Sequence, residues 1–408
     1  MATESNIFSG LKVVDFASFI AGPAAATILS DFGAEVIKVE PPGAGDPYRY
    51  FTKLPPNPVS EVNYAWQITN RNKRSLALNL KAPEAREVVE RLVRWADVVV
   101  VNFPPRVKVG LGLNYESLAP LNPRLIYADI TGYGSRGPEA DEPGFDITAY
   151  WARSGLMEVT HDAGSPPTLP IPGIGDHATA TTLYAAIVTA LLARERTGKG
   201  THVTTSLVAN GIWAAGAWVE GALNGAHFFP QHDRKKPPNA LLNPYQTSDN
   251  RWILIVCAQP KDWDGLIKAM GLAQLAPDPR FSDPHARLEN TAALVEILDP
   301  VFASQPLAHW KQVLSAGRVI FGVVQNAKDI ISDPQLEANG IVVPLEDAAD
   351  PRARTVSSPI EIAGFPKAKP RIAPRLGEHS DEVLKSLDFS AEAIARLQET
   401  GAVGGDPR

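Results

Sequence analysis

Residues 11–40 read LKVVDFASFIAGPAAATILSDFGAEVIKVE, and this stretch alternates between strand-like and helix-like patterns. The apolar runs over Leu11–Phe16 and Glu35–Glu40 predict two β-strands. Pro23–Phe32 predicts a helix between them, because a proline lies near its start and Gly33 follows its end. The stretch therefore predicts a β-α-β unit whose two strands run parallel.

The same alternation continues through the first half of the chain. Further strands are predicted at Ser75–Leu80, Asp97–Asn102 and Leu125–Ile130, with a helix at Pro83–Ala96. The continuous apolar runs in the last two strands are typical of strands buried on both faces. We therefore expect an α/β fold whose large domain is a doubly wound, Rossmann-like parallel sheet with helices on both faces.

The second half of the chain predicts a smaller domain. Residues 231–243 are polar and proline-rich, which is typical of a linker, and Tyr245–Cys257 predicts a hairpin. Helical patterns follow, and then a proline-rich connector. We expect three parts: a large domain over 1–225, a small α+β domain over 226–335, and a linker with a C-terminal return to the large domain over 336–408.

The composition is that of a globular protein with a sizeable core: 408 residues, of which 44% are hydrophobic and 21% charged. A net charge of −6 argues against a surface for nucleic acid or anionic membranes. No run approaches the length of a membrane span, and the first residues lack a signal-peptide pattern. The single cysteine, Cys257, excludes an internal disulfide and a cysteine-based zinc site. We expect a cytoplasmic protein.

Asp176 is the candidate reactive residue. It follows Pro172-Gly173-Ile174-Gly175 and precedes a predicted helix over His177–Arg196. Backbone N–H groups and the macrodipole at a helix N-terminus favour a charged carboxylate, so Asp176 is predicted to be ionised. Two roles fit this position: an N-cap, and a nucleophile on a glycine-rich turn.

Other motifs have weak support from the residues alone. The turn after the first strand lacks the Gly-x-Gly-x-x-Gly spacing, so a dinucleotide is not indicated. The histidines show no metal-ligand spacing, and no Gly-x-Ser-x-Gly motif indicates a hydrolase. A basic cluster is either a solvated face or a phosphate-binding patch near strand ends. Its members are Arg71, Lys73, Arg74 and Lys81, to which Arg106 and Lys108 could add.

Taken together, several segments resemble class III CoA-transferases, the group of formyl-CoA transferase and carnitine CoA-transferase. The matching segments span nearly the whole chain and are Gly10–Glu40, Asn72–Lys81, Asn102–Leu113, Thr131–Asp146, Gly173–Gly200 and Leu376–Leu384. Thr131-Gly132-Tyr133-Gly134 and Pro143-Gly144-Phe145-Asp146 are most similar to transferases of 2-hydroxy acids and aryl acids, such as phenyllactate.

The resemblance implies that Asp176 is a nucleophile. Its carboxylate would attack an acyl-CoA thioester to give an aspartyl anhydride, and the CoA thiolate would return to give an aspartyl-CoA thioester. The substrates would be an acyl-CoA donor and a small carboxylic acid, with no metal or bound cofactor. Backbone N–H groups near Gly173–Gly175 or near Ile20 would stabilise the oxyanion. The resemblance also implies an interlocked homodimer.

Contacts to CoA follow from the same resemblance. In the N-terminal loop they are Ile20 and Ala21, and at the adenine and phosphates they are Leu78 and Lys81. Asn102 and Phe103 lie where the family holds the CoA, and Thr131 to Tyr133 line its thiol end. Pro41 and Gly110 replace two arginines of the family, so Arg106 or Lys108 is expected to substitute. Asn239–Tyr245 stands in place of the glycine loop of formyl-CoA transferase, which disfavours oxalate or formate as substrate.

Two alternative functions remain open. The superfamily contains 2-methylacyl-CoA racemases, which use a histidine before the aspartate of a Gly-His-Asp segment. Phe145 occupies that position and cannot move a proton, so this interpretation ranks below the transferase. A non-catalytic or nucleotide-binding α/β protein is disfavoured by the missing glycine fingerprint. An aryl pocket competes with a core role for five aromatic residues, Tyr150, Trp213, Trp218, Phe228 and Phe229.

Overall fold

The computed structural model describes residues 6–228, 230–257 and 259–404, with only the backbone described at 260 and 261. Phe229, one of the predicted aryl-pocket residues, lies outside the described residues. The strands in chain order are β1 (Lys12–Asp15), β2 (Glu35–Glu40), β3 (Lys73–Leu78), β4 (Val98–Val101), β5 (Ile126–Thr131), β6 (Thr201–Ser206), β7 (Leu242–Gln246), β8 (Trp252–Val256), β9 (Ile320–Val323), β10 (Val342–Pro344), β11 (Arg354–Val356) and β12 (Val403–Gly404).

The helices surround and connect these strands. In chain order they are α1 (Ala21–Asp31), α2 (Tyr64–Asn70), α3 (Ala85–Trp95), α4 (Pro105–Leu111), α5 (Tyr115–Leu118), α6 (Leu156–Val159), α7 (Ile174–Thr197), α8 (Leu207–Ala214), α9 (Gly216–Leu223), α10 (Pro260–Ala269), α11 (Pro284–Glu289), α12 (Thr291–Phe302), α13 (Leu307–Ala316), α14 (Ala327–Ile330), α15 (Pro334–Ala338), α16 (Ser380–Ser386) and α17 (Ala391–Glu399). A π-helical turn covers Asp146–Ala152, and 3-10 turns cover Pro47–Lys53, Ala119–Leu121 and Ala273–Leu275.

The main sheet has the strand order β12-β3-β2-β1-β4-β5-β6. Strands β1 to β6 pair in parallel, and β12 pairs antiparallel with β3 at one edge. The order reverses between β1 and β4, so the predicted doubly wound fold is confirmed. In such sheets the ligand crevice lies outside the carboxyl ends of the strands, at this switch point.

Both faces of the sheet are buried. Val13, Val98 and Val100 pack on one face with helices α1 and α7, whereas Val14 and Val99 pack on the other with α3, α16 and α17. All five valines are fully buried, because successive strand side chains point to opposite faces and helices cover both of them. This arrangement explains the continuous apolar runs in the sequence.

The described chain forms two compact units. The larger comprises the residues up to Glu158, Leu169–Gly225 and the chain from Pro334 onward, and it contains the seven-stranded sheet. The smaller comprises Val159–Thr168 and Ala226–Asp333. The smaller unit has an antiparallel sheet of order β7-β8-β9 and its own apolar core. The hairpin predicted at Tyr245–Cys257 is formed by β7 and β8.

Some elements have no clear pattern in the sequence. Strand β6 reads Thr201-His202-Val203-Thr204-Thr205-Ser206 and lies at an edge of the sheet. Its first five residues alternate between partly buried and exposed, and Ser206 is buried. An edge strand needs fewer apolar residues than a central one, so its sequence resembles a loop. Among the described residues, none of the helices has the length and apolarity required to cross a membrane.

Candidate functional site

A cavity of about 310 Å³ lies at the switch point of the sheet, within the larger unit. The loop after β1, the loop after β4, the end of β5 and the start of α7 all contribute to its lining. Six of the predicted site residues line it: Ile20, Ala21, Asn102, Phe103, Thr131 and Asp176. The carboxyl ends of neighbouring parallel strands thus bring together residues that are far apart in the sequence.

Four predicted CoA contacts do not line this cavity. Leu78 is 1% exposed, and its side chain belongs to the core beneath the sheet. Lys81 is exposed after the end of β3, and Arg106 is exposed in the first turn of α4. Tyr133 packs in a cluster with Tyr150 and Leu207.

The aromatic residues for which an aryl pocket competes with a core role do not line this cavity where they are described. Tyr150 is buried in that same cluster, and Trp213 is 85% exposed on α8. Trp218 and Phe228 are partly exposed. The aromatic rings that do line the cavity are those of Phe19, Tyr48, Phe51, Phe103 and Phe145.

The basic cluster is mostly neutralised inside the protein. Its buried ion pairs are Arg71–Asp31, Lys73–Asp15 and Lys108–Asp129. Arg74 is paired with Glu35 and Glu382. Each of these four cations thus already has a carboxylate partner, which leaves less positive charge for a phosphate. Lys108 in particular is not free to replace a missing arginine, whereas Arg106 and Lys81 remain exposed.

The loop after β1 is held in a strained conformation. Phe19 has a φ of 63°, in the left-handed region that bulky residues rarely adopt. Its N–H donates to Asp46 Oδ1 at 3.1 Å, and Asp46 pairs with the buried Lys38 at 2.9 Å. The Phe19 ring meets Phe145 edge to face, with centroids 5.6 Å apart. The two rings form part of the cavity lining, and Phe145 remains 55% exposed.

The N-terminus of α1 offers free donors at the cavity. The Ser18 N–H donates to Asn102 and the Phe19 N–H to Asp46, but no side chain caps α1. Within residues 6–228, 230–257 and 259–404, no acceptor is found for the N–H groups of Ile20 and Ala21. Both residues line the cavity, so this helix end can stabilise negative charge there.

Asp176 is the third residue of α7, not its N-cap. Gly173 takes the N-cap position with a φ of 100°, which favours glycine. Burial, and then the charge of Asp146, raise the pKa of Asp176 to about 7. Burial and the charge of Asp146 thus oppose the helix N-terminus, which was expected to keep Asp176 ionised.

Asp146 takes the helix donors instead. Its carboxylate accepts the Gly173 N–H at 2.5 Å and the Gly175 N–H at 2.9 Å. These N–H groups were one of two expected oxyanion donors, and they are occupied. The sequence does not indicate Asp146 as a site residue, although Asp146 ends the motif Pro143-Gly144-Phe145-Asp146.

Gly132 and Gly144 allow two of the sequence motifs to pack against each other at the cavity. A Cβ on Gly132 would lie 2.6 Å from Gly144 Cα, so the segment after β5 packs backbone to backbone against the segment before Phe145. Thr131 Oγ1 accepts the Gly134 N–H at 2.9 Å and closes the turn after β5. This close approach explains why both motifs contain glycine.

The arrangement suits nucleophilic chemistry at Asp176. The site combines a carboxylate with a raised pKa, free backbone donors on α1 and an apolar wall. Within the described parts of the chain, no group of three or more His, Cys, Asp or Glu side chains is arranged to hold a metal ion.

Comparison with known proteins places the chain in a family. Residues 8–380 match CoA-transferase family III. The chain is 32% identical to cinnamoyl-CoA:phenyllactate CoA-transferase of Clostridium sporogenes, over 98% of each protein. It is 31% identical to (R)-2-hydroxy-4-methylpentanoate CoA-transferase of Clostridioides difficile, over 97% of this chain and 99% of the relative.

A solved structure shows the same fold. The crystal structure of a CAIB/BAIF family protein from Brucella suis superposes with a TM-score of 0.82 at 31% identity, covering 94% of this chain and all of the other. The resemblance seen in the sequence is thereby confirmed. The chain belongs to CoA-transferase family III and is a CoA-transferase, an enzyme that moves CoA from an acyl-CoA donor to a carboxylic acid.

Proposed function

We propose that Asp176 carries the transfer as a covalent nucleophile. The observation that supports this most directly is the position of Asp176 in the switch-point cavity, beside the residues expected to hold CoA. A volume of about 310 Å³ is that of a small-ligand pocket, which suits an acyl group and the thiol end of CoA.

The proposed reaction has four steps. The Asp176 carboxylate attacks the thioester carbonyl, the C–S bond breaks, and CoA leaves as a thiolate from a mixed anhydride. The thiolate attacks the aspartyl carbonyl, which releases the donor acid and forms an aspartyl-CoA thioester. The acceptor carboxylate attacks that thioester and forms a second anhydride with release of the thiolate. The thiolate then attacks the acceptor carbonyl, so that a new acyl-CoA forms and Asp176 is restored.

The oxyanion of each tetrahedral intermediate needs donors that are free. Gly173 and Gly175 already donate to Asp146, so we assign this role to the N-terminus of α1 at Ile20 and Ala21. Donors that are fixed before the reaction stabilise the developing charge without reorganisation. The CoA contacts at Asn102, Phe103 and Thr131 belong to the same proposal, as do Leu78, Lys81, Arg106 and Tyr133 outside the cavity.

The names of two relatives and the apolar lining of the cavity together support a proposal for the acid substrates. Two relatives are named for 2-hydroxy acids with an aryl or branched side chain. Here Phe19, Phe51 and Phe145 present apolar rings beside Asp176. We propose that the enzyme accepts carboxylic acids of this apolar kind, and that no metal or bound cofactor takes part.

A racemase function is less well supported. Phe145 precedes Asp146 in the cavity lining, where a racemase needs a second acid-base group. An acyl-CoA incubated with the enzyme in D₂O should therefore gain no deuterium at the α-carbon. Exchange at a rate comparable to transfer would favour the racemase instead.

We also propose a homodimer. Large apolar side chains are exposed on the larger unit, among them Ile171 at 76%, Trp213 at 85% and Leu223 at 76%, and such surfaces commonly mark contacts between subunits. Light scattering on the purified protein should give twice the chain mass. A monomeric mass at working concentration would contradict the proposal.

Replacement of Asp176 tests the mechanism. Asp176→Ala should abolish transfer while CoA still binds, and Glu195→Ala, an exposed carboxylate on the same helix, is the matched control. Hydroxylamine added with an acyl-CoA should inactivate the native enzyme and leave a hydroxamate on Asp176, detectable by mass spectrometry. Turnover by the Asp176→Ala enzyme would exclude the covalent route through this residue.

A further inference from the structure

The carboxylate of Asp146 caps α7 from a distant segment. It is 3% exposed, with Oδ2 on the Gly173 N–H and Oδ1 on the Gly175 N–H. The first N–H groups of a helix have no partner within the helix, and a side chain of the N-cap residue usually accepts from them. Gly173 has no side chain, so Asp146 takes that role from the π-helical turn.

The approach of Asp146 depends on the absence of a side chain at position 175. A Cβ on Gly175 would lie 2.2 Å from Tyr150 Cγ and 2.3 Å from Asp146 Oδ1. Real Cβ atoms do not approach other atoms so closely. The turn, the capping carboxylate and Tyr150 therefore form one tightly packed unit beneath the nucleophile.

This capping has a direct effect on Asp176. Among the described residues, none donates a hydrogen bond to the Asp176 carboxylate. Hydrogen bonds to a carboxylate stabilise its charged form and lower its pKa, so their loss leaves a more basic group. The charge of Asp146 adds repulsion, which raises the pKa of Asp176 further.

We propose that Asp146 is a positioning residue for the nucleophile. By occupying the donors of the first turn of α7, it holds the Gly173–Asp176 turn in place and leaves both oxygens of Asp176 free to attack the thioester. This inference rests on the proposed function, in which Asp176 is the nucleophile. It adds a second carboxylate to the site, one that makes no bond to substrate.

The test is Asp146→Asn. The amide is nearly the same shape, but its single oxygen cannot replace two carboxylate oxygens that accept from two N–H groups. Misplacement of the nucleophile should lower kcat roughly 100-fold, with little change in KM for acyl-CoA. The acidic limb of the kcat/KM profile should move about one pH unit lower, because the charge next to Asp176 is removed.

A structural control separates positioning from folding. Asp97 accepts the Lys12 N–H at 3.0 Å and pairs with Arg194 at 3.0 Å. It directly precedes β4, so it lies at the amino ends of the parallel strands, away from the cavity at their carboxyl ends. Asp97→Asn should lower the melting temperature without moving the acidic limb of the kcat/KM profile. Wild-type kcat and an unshifted limb in Asp146→Asn would overturn the proposal.

If Asp146→Asn does not fold, the pH dependence of the native enzyme still tests the proposal. The rate of CoA release from an acyl-CoA in a single turnover should rise with an apparent pKa near 7. A rate that stays level down to about pH 5 would show a hydrogen-bonded, readily ionised carboxylate and overturn the proposal. Turnover by Asp176→Ala would defeat the proposed function itself. An inactive Asp176→Ala enzyme beside a fully normal Asp146→Asn enzyme would overturn only the role of Asp146.

Discussion

The side-chain amide of Asn102 binds both backbone polar groups of Ser18. Its Oδ1 accepts the Ser18 N–H at 2.9 Å, and its Nδ2 donates to the Ser18 carbonyl at 2.7 Å. The loop after β4 is thereby joined to the loop after β1 across the switch point. The α1 donors at Ile20 and Ala21 follow after Phe19, so Asn102, together with Asp46, helps to fix their position.

Asn102→Ala should therefore weaken substrate binding as well as stability. The Ser18 N–H and carbonyl lose their partner, which costs about 1 to 3 kcal/mol of unfolding free energy. The KM for acyl-CoA should rise about tenfold because the loop at Ile20 is no longer held. Thermal melting and steady-state kinetics measure the two effects. Asn224→Ala, at the exposed end of α9, is the control, and an unchanged KM in Asn102→Ala would contradict this role.

Two glycine-to-alanine changes should have opposite effects. Gly175→Ala forces a Cβ to within 2.2 Å of Tyr150 and should destabilise the protein by more than about 3 kcal/mol, with loss of activity. Gly110 lies in α4 with nothing within 4 Å of its Cβ position. Gly110→Ala should stabilise the helix by about 0.5 to 1 kcal/mol. Denaturant titrations measure both, and equal stability of the two variants would contradict the packing described here.

Asp176→Asn should stabilise the protein at alkaline pH. The folded-state pKa of Asp176 is raised to about 7, above the ordinary value of 3.8, so ionisation costs more in the folded chain than in the unfolded one. The cost is absent below the ordinary pKa and grows until the pH exceeds the folded-state value. At about pH 8 the amide should gain about 2 kcal/mol, allowing for the partial exposure of the group.

Thermal melting across pH measures that gain. The difference between Asp176→Asn and the native protein should shrink toward zero below about pH 3, where the native carboxyl is neutral in both the folded and the unfolded state. Glu195→Gln, an exposed change on the same helix, should show no such dependence. A constant difference at all pH values would show that the effect does not come from ionisation.

Phe145→Ala should reduce the preference for apolar acids. The Phe145 ring meets Phe19 at 5.6 Å and lines the cavity, so its loss removes apolar surface beside the acyl group. The KM for an aryl acyl-CoA should rise roughly 5- to 10-fold, equivalent to about 1 to 1.5 kcal/mol. The KM for acetyl-CoA should change much less.

Phe365→Ala is the matched control for that experiment, since it removes an aromatic ring that is 42% exposed and does not line the cavity. Steady-state kinetics with the two thioesters distinguishes the outcomes. Equal increases in KM for aryl and acetyl donors would assign Phe145 to CoA binding instead of acyl recognition.

Much of the larger unit could be predicted from local patterns. The apolar run at β4 is unbroken, and β1, β2 and β5 are largely apolar, because these strands are buried on both faces. Strands β6 and β12 are not predicted from the sequence. Both lie at the edges of the sheet, where a polar or very short segment can form a strand.

The charged residues show the limit of such patterns. Arg71 and Lys73 look like solvent-facing cations in the sequence, yet Asp31 and Asp15 neutralise them inside the protein. Their partners are separated from them by 40 and 58 positions in the chain. Ion pairs between distant segments leave no local pattern, so their charges could not be assigned to the interior in advance.

The sequence by itself determined the alternation of strands and helices, the membership of the family and the choice of Asp176, because each follows from local patterns or from motifs. Only the tertiary structure decided the chemical state of that residue. The helix N-terminus was expected to keep Asp176 charged, but Asp146, 27 positions before Gly173, takes the donors and adds its own charge. The pKa of a carboxyl group depends on the neighbours that folding brings to it, and these come from segments far apart in the chain.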